Sequence, residues 1–121
     1  MMKKVLVAAT VVAATLTLLA PPSLAHVDSR LRAHADWAYG GDLADGTGRI
    51  GASVRLDVAN VSSKRVDALC TVRIDDSYYG VRYLHHKFSS IRRYYPQRHY
   101  WGITTMRDLN VKVAHCHILV A

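Results

Sequence analysis

Two stretches of the chain alternate apolar and polar residues with a period of two, and this pattern limits the fold more than any other feature. In residues 49–58 every second residue is apolar: Ile50, Ala52, Val54, Leu56 and Val58. In residues 65–74 the apolar phase holds Val66, Ala68, Cys70, Val72 and Ile74. Successive side chains of a strand point to opposite faces of its sheet, so each stretch predicts a strand with one buried face. Helical spacing is nearly absent after residue 25, and the sequence therefore predicts an all-β fold.

The same alternation, less regular, predicts further strands. They cover residues 30–39, 78–88, 100–106 and 111–121. Turn-forming residues separate the strands, and the segment 89–99 is predicted to be a loop or a sheet edge because Pro96 cannot donate to a central ladder. Six or seven strands punctuated in this way indicate a two-sheet antiparallel sandwich.

The apolar residues of the last predicted strand do not all share one phase. Val111 and Val113 share one phase, whereas Ala114 and Cys116 share the other. Only one phase can face the core, so we expect either a bulge between Val113 and His115 or a strand covered on both faces. With Cys116 inward, the residues on either side of it point outward together.

The first 25 residues predict export. A basic head with Lys3 and Lys4 is followed by an uncharged run of 16 residues, then two prolines and small residues ending at Ala25. This is the layout of a signal peptide cleaved after Ala25, and the run is shorter than the ~20 residues of a membrane-spanning helix. We therefore expect a single domain over 26–121, located outside the cytoplasm, with membrane contact only through the uncleaved signal.

Charge and cysteine content constrain the exported domain further. Removal of the leader takes two of the 16 basic residues and none of the nine acidic ones, so the remaining net charge is +5. Such a domain suits an acidic partner, for example an anionic envelope polymer, or another protein. The two cysteines, Cys70 and Cys116, are expected to pair in an oxidising compartment. Their loop of about 47 residues corresponds to about 4 kcal/mol of stabilisation in the chain-entropy model.

Two strings suggest a family. "VRLDVANVSSKRVDALCTVRI" over 54–74 and "VKVAHCHI" over 111–118 resemble the small exported immunoglobulin-like sandwich domains of bacteria, including the FxLYD type. The resemblance implies a disulfide-bonded immunoglobulin-like sandwich with a binding or structural role, and it carries over no catalytic residue. The chain departs from the antibody pattern because Trp101 lies 31 residues after Cys70, and it has no Phe-x-Leu-Tyr-Asp string.

Histidines give the first candidate site. Cleavage after Ala25 would leave His26 at the amino terminus, where its amine and Nδ1 could chelate Cu(II). A second imidazole would complete that site, from one of four residues: His34, His99, His115 or His117. His115 and His117 also have the i, i+2 spacing that two zinc ligands use on a strand. The alternative is that His26, His115 and His117 are surface residues without a metal, and we expect no cofactor.

The second candidate site is the segment 92–101, in which arginines and aromatic residues are interleaved. Its candidate ligand-binding residues are Arg92, Arg93, Tyr94, Tyr95, Arg98, Tyr100 and Trp101. Guanidinium groups offer paired donors to phosphate or carboxylate, and aromatic rings offer flat faces for sugars. The alternative is that every second aromatic residue enters the core while the arginines stay solvated.

Other motifs favour a role without catalysis. Asn60-Val61-Ser62 matches a glycosylation acceptor, although turn-forming residues explain the same string. The chain has no serine, histidine and acid grouping, no paired glutamates and no phosphate-binding glycine loop. We therefore predict a secreted or envelope-associated binding or structural domain that is not an enzyme and does not bind nucleic acid. The alternatives are a copper carrier using His26 and an anionic-polymer binder using residues 92–101.

Overall fold

A computed structural model describes residues 26–119, and the predicted signal segment and its cleavage site lie outside the described residues. The described chain contains seven strands and no helix: β1 (His26–Val27), β2 (Leu31–Asp42), β3 (Ile50–Asn60), β4 (Val66–Asp76), β5 (Gly80–Ile91), β6 (Gln97–Thr105) and β7 (Asn110–Leu119). The predicted all-β class is therefore confirmed. Between residues 26 and 119 there is no helix long and apolar enough to span a membrane.

The strands form two sheets packed face to face. One sheet has the order β1-β7-β4-β5 and the other has the order β2-β3-β6. All pairings are antiparallel except that of β1 with β7, which is parallel. The two-sheet architecture with one disulfide is as predicted, and the short β1 is an addition that no alternation signals.

The core lies between the sheets and is built by the two most regular strands. In β3 and β4 the apolar phase is buried, including Leu56, Val58, Val72 and Ile74, while the other phase is partly exposed except at the buried Thr71. Phe88 and Ile91 of β5 complete the apolar contacts from the edge strand. At ~25 cal/mol per Å² of apolar surface removed from water, this layer provides the main stabilisation of the fold.

Cys70 and Cys116 form a disulfide that is fully buried in the core. The two residues are directly opposite each other on β4 and β7, so the bond lies within one sheet and does not join the two sheets. The predicted pairing is confirmed. A disulfide is compatible with a location outside the cytoplasm.

A bulge in β7 allows apolar residues of both phases to face the core. Thr71 of β4 pairs with His115, but the next residue, Val72, pairs with Val113, so that Ala114 is an extra residue on β7. Val113 and Cys116 are consequently both buried although they are three residues apart. The first of the two predicted solutions is therefore correct, and His115 and His117 lie on the outer face of the sheet.

The boundaries of β5 and β6 differ from the prediction. The segment 89–99 is not one long loop, because β5 continues to Ile91 and β6 begins at Gln97. β5 continues through a bulge at Ser89–Ser90, where Asp67 accepts a hydrogen bond from the amide of Ser90 at 2.7 Å. Beyond the bulge Ile91 is buried, which anchors the end of β5. Only residues 92–96, including Pro96, connect the two strands.

Candidate functional site

The loops that follow β3 and β5 lie side by side at one end of the sandwich. Val66, the first residue of β4, pairs with Ile91, the last residue of β5. Arg65 immediately precedes Val66, and Arg92 immediately follows Ile91. The two arginines are therefore neighbours at this end of the sheet. The adjacent residues Lys64 and Arg93 belong to the same two loops. We call the surface formed by Lys64, Arg65, Arg92 and Arg93 the basic end.

Asn60 holds the two loops together. Its side-chain amide donates to the carbonyl oxygens of Lys64 at 2.6 Å and Ile91 at 2.8 Å. Its Oδ1 accepts hydrogen bonds from the amide and the hydroxyl of Ser62 at 2.8 and 2.7 Å. Asn60 is buried, and both donor positions of its nitrogen are used. The contacts of Asn60 fit the interpretation of Asn60-Val61-Ser62 as a turn. The side-chain nitrogen to which a glycan would be attached is buried inside the fold.

The cations of the basic end differ from most others in the protein because they have no counter-charge. Seven arginines are within 4 Å of an aspartate: Arg30, Arg49, Arg55, Arg73, Arg82, Arg98 and Arg107. Across the described chain, 26–119, none of Lys64, Arg65, Arg92 and Arg93 makes an ion pair, and all four are exposed. Four of the seven lysines and arginines without an ion pair in residues 26–119 therefore belong to this end.

The turn between β5 and β6 stacks its two arginines on tyrosines. The guanidinium of Arg92 lies 4.6 Å from the ring centre of Tyr95, and that of Arg93 lies 5.1 Å from the ring centre of Tyr94. Tyr94 is 80% exposed and Tyr95 is 62% exposed, so both stacks face solvent. Stacking orients the guanidinium plane and leaves its edge free to donate to a phosphate or carboxylate.

The predicted segment 92–101 divides into separate parts in the structure. Arg92, Arg93, Tyr94 and Tyr95 form the exposed turn described above. Arg98 is bound to Asp57, and its guanidinium also reaches the hydroxyl of Tyr100 at 3.4 Å.

The aromatic residues of the segment mostly face solvent. Tyr100 is exposed, while Trp101 packs against the core beside His99, 4.6 Å between ring centres. Of the four aromatic residues in the segment only Trp101 packs against the core, where it is partly buried, so the predicted burial of every second aromatic residue is not observed.

A cavity beside the basic end was not predicted. It has a volume of about 500 Å³ and lies between the β3–β4 loop and the end of β7. Its polar lining comes from Arg30, Ser62, Ser63, Lys64, Arg65 and the acidic Asp67, and Val66, Ile118 and Leu119 form the apolar part. Lys64 and Arg65 are distant in sequence from the predicted segment, and no sequence signal links the two loops.

The predicted metal-binding residues lie together on the outer face of the β1-β7-β4-β5 sheet. His26 of β1 is in register with His115 of β7, and the rings of His115 and His117 are 5.7 Å apart between centres. Burial lowers the pKa of His115, and the neighbouring His117, His85 and His26 lower it further. Within 26–119, no group of three or more histidine, cysteine or acidic side chains is arranged to hold a metal ion.

The other proposed partners of His26 lie elsewhere. His34 is on β2 in the opposite sheet, with its Nε2 3.6 Å from Asp36. His99 stacks on His86 at 3.6 Å between the edge strands β6 and β5. Burial lowers the pKa of His86, and His99 adds to that effect. Of the four candidate partners, only His115 and His117 share a sheet face with His26.

The fold and the basic end thus define a class, a disulfide-bonded β-sandwich with an uncompensated cationic surface. Comparison with family models, with curated proteins and with solved structures finds no match to this chain.

Proposed function

We propose that this protein is an extracytoplasmic, non-enzymatic binding domain that holds an anionic polymer at the basic end. The observation that carries the proposal is the convergence of Lys64, Arg65, Arg92 and Arg93 without an acidic partner in the described chain. Four such cations on adjoining loops attract a polyanion more strongly than dispersed charges do, because one ligand can contact them all.

The surrounding contacts favour specific recognition over a diffuse charge effect. Asn60 fixes the backbones of both loops, so the positions from which the four cations project are set before a ligand arrives. The stacked Tyr94 and Tyr95 add exposed aromatic faces next to the guanidinium groups. A polymer of acidic sugars or phosphodiester-linked sugars offers both the charges and the flat apolar faces that such a surface binds.

We further propose an immunoglobulin-like identity for the sandwich and export by the predicted leader. Strand order supports the first part, because β2-β3-β6 and β7-β4-β5 correspond to strands A-B-E and F-C-C′ of an immunoglobulin domain. The disulfide differs, since it joins the strands equivalent to C and F instead of B and F. Export is supported by the leader composition and by the buried disulfide.

The proposed function is tested by removing charges in matched pairs. The test variants are Arg92→Gln/Arg93→Gln and Lys64→Gln/Arg65→Gln, measured against heparin and polyphosphate at about 50 mM and 200 mM salt. The control is Lys87→Gln/Lys112→Gln, which removes two exposed cations, unpaired within 26–119, elsewhere on the protein. At about 1 kcal/mol per cation, each test pair should weaken binding roughly 30-fold.

The control variant separates a site from a general charge effect. We expect its affinity to stay within about threefold of the original, and we expect the salt dependence to become shallower only in the test variants. Arg98→Gln should also have little effect, because the charge of Arg98 is already balanced by Asp57. An equal loss in the control and test pairs would refute the basic end as the binding surface.

A further inference from the structure

Three histidines from two adjoining strands project from the outer face of the β1-β7-β4-β5 sheet. The bulge at Ala114 sets the phase in which His115 and His117 both face outward. The parallel pairing of β1 with β7 places His26 directly opposite His115, at the ~4.8 Å spacing of neighbouring strands. Paired residues of adjacent strands project to the same face, so all three side chains share one surface.

The separation of the rings suits a shared metal ion. With metal–nitrogen distances of about 2.0–2.1 Å and a tetrahedral angle, two imidazole rings bound to one ion have centres about 5 Å apart. The rings of His115 and His117 are 5.7 Å apart, so a shift of less than about 1 Å brings them to this distance. His26 and His117 are exposed, and their rings are free to rotate toward the half-buried His115.

Side chains of β4 and β5 border the three histidines on the same face of the sheet. The groups that face them from β4 and β5 are Thr71, His85, Leu69 and Lys87, and none is an acid. Asp28, two residues from His26, is bound by Arg30 through two hydrogen bonds to the guanidinium.

We infer that His26, His115 and His117 bind one divalent transition-metal ion through their imidazoles, with Cu(II) held more tightly than Zn(II). The order follows from the general affinity of nitrogen donors for first-row metals. Binding draws the two exposed rings toward His115, because the three are not arranged around a common point without the ion. The site is on a sheet face and is separate from the basic end, so it stands independently of the proposed function.

The inference is tested by titrating the purified protein with Cu(II) and with Zn(II) against a chromophoric chelator. His26→Gln, His115→Gln and His117→Gln should each lower the Cu(II) affinity by about tenfold or more. The matched control is His34→Gln, an exposed histidine on the opposite sheet, which should leave the affinity unchanged. Circular dichroism of each variant shows whether the fold is retained.

Two results would overturn the site. One is a Cu(II) affinity that none of the three substitutions changes, or that His34→Gln lowers equally. The other concerns the terminal amine, which could replace an imidazole if the chain begins at His26. A chain beginning at Ala25 keeps all three imidazoles, so it should bind Cu(II) within about threefold of a chain beginning at His26. A larger loss would assign binding to the amine and contradict the three-imidazole site.

Discussion

Replacing Asn60 by alanine should strongly destabilise the protein, because this buried side chain joins the two loops of the basic end. Alanine removes four hydrogen bonds, two donated to the carbonyls of Lys64 and Ile91 and two accepted from Ser62. The carbonyl of Ile91 lies in a buried contact and loses its partner without access to bulk water. The groups of Lys64 and Ser62 are nearer the surface and can bind water instead.

The magnitude follows from this difference in exposure. We assign about 1–2 kcal/mol to the unsatisfied carbonyl of Ile91 and about 0.5 kcal/mol to each of the other three bonds, a total near 3 kcal/mol. For a domain of this size 1 kcal/mol corresponds to roughly 4–8 °C, so the Tm should fall by about 12–24 °C. Asn60→Asp should cost at least as much, because it directs a carboxylate oxygen at two carbonyl oxygens.

Urea unfolding of the oxidised protein, followed by tryptophan fluorescence, measures the change in the free energy of unfolding. Asn110→Ala is the matched control, since Asn110 is exposed at the start of β7 and should change stability by less than about 0.5 kcal/mol. A loss below about 1 kcal/mol for Asn60→Ala, or one no larger than that of the control, would refute the role assigned to Asn60.

Three further predictions concern stability. Burial alone would raise the pKa of Asp76, but hydrogen bonds from Thr105 and from two backbone amides, with the charge of Arg82, hold it below its usual value. The stabilisation is therefore present above about pH 4 and is lost as the pH falls through the lowered pKa, so Asp76→Asn should flatten the acid branch of a stability–pH profile. Replacing Cys70 and Cys116 by alanine should lower the free energy of unfolding by about 4 kcal/mol in urea titrations, and a loss below 1 kcal/mol would contradict the chain-entropy estimate. Gly80→Ala should cost about 1 kcal/mol by the same assay, because the φ of Gly80 is 73°, and an unchanged midpoint would contradict this.

The fold was predictable wherever side chains alternate in and out of a single core. The apolar phases of β3 and β4 identify their buried faces directly, and the two conflicting phases of β7 predict either a bulge near Ala114 or a strand covered on both faces, of which the bulge is observed. β1 could not be predicted, because two residues are too few to show a period. The start of β6 was missed because exposed residues such as Arg98 and Tyr100 alternate with the half-buried Gln97 and His99, which are themselves polar.

The candidate sites were only partly predictable, because proximity across strands is a property of the tertiary structure. The segment 92–101 was identified by its composition, but nothing in the sequence shows that Arg98 meets Asp57 or that Arg92 adjoins Arg65. The importance of Asp76 was also missed. It occurs in a run of turn residues, yet it is buried and accepts hydrogen bonds from the β4–β5 turn and from Thr105.

The crosslink between β4 and β7 also determines how the domain would respond to mechanical tension. A force pulling on the two ends of the chain would be carried through the disulfide, and the segment between the two cysteines, which are 46 positions apart, could not be extended. At about 3.4 Å per extended residue, the oxidised chain would lengthen by roughly 150 Å less than the reduced one. The Arg92–Tyr95 turn lies inside this sheltered segment, whereas Lys64 and Arg65 lie outside it. Stretching would therefore pull the two halves of the basic end apart while the sheltered loop stayed closed, and on the proposed function this would release the bound polyanion.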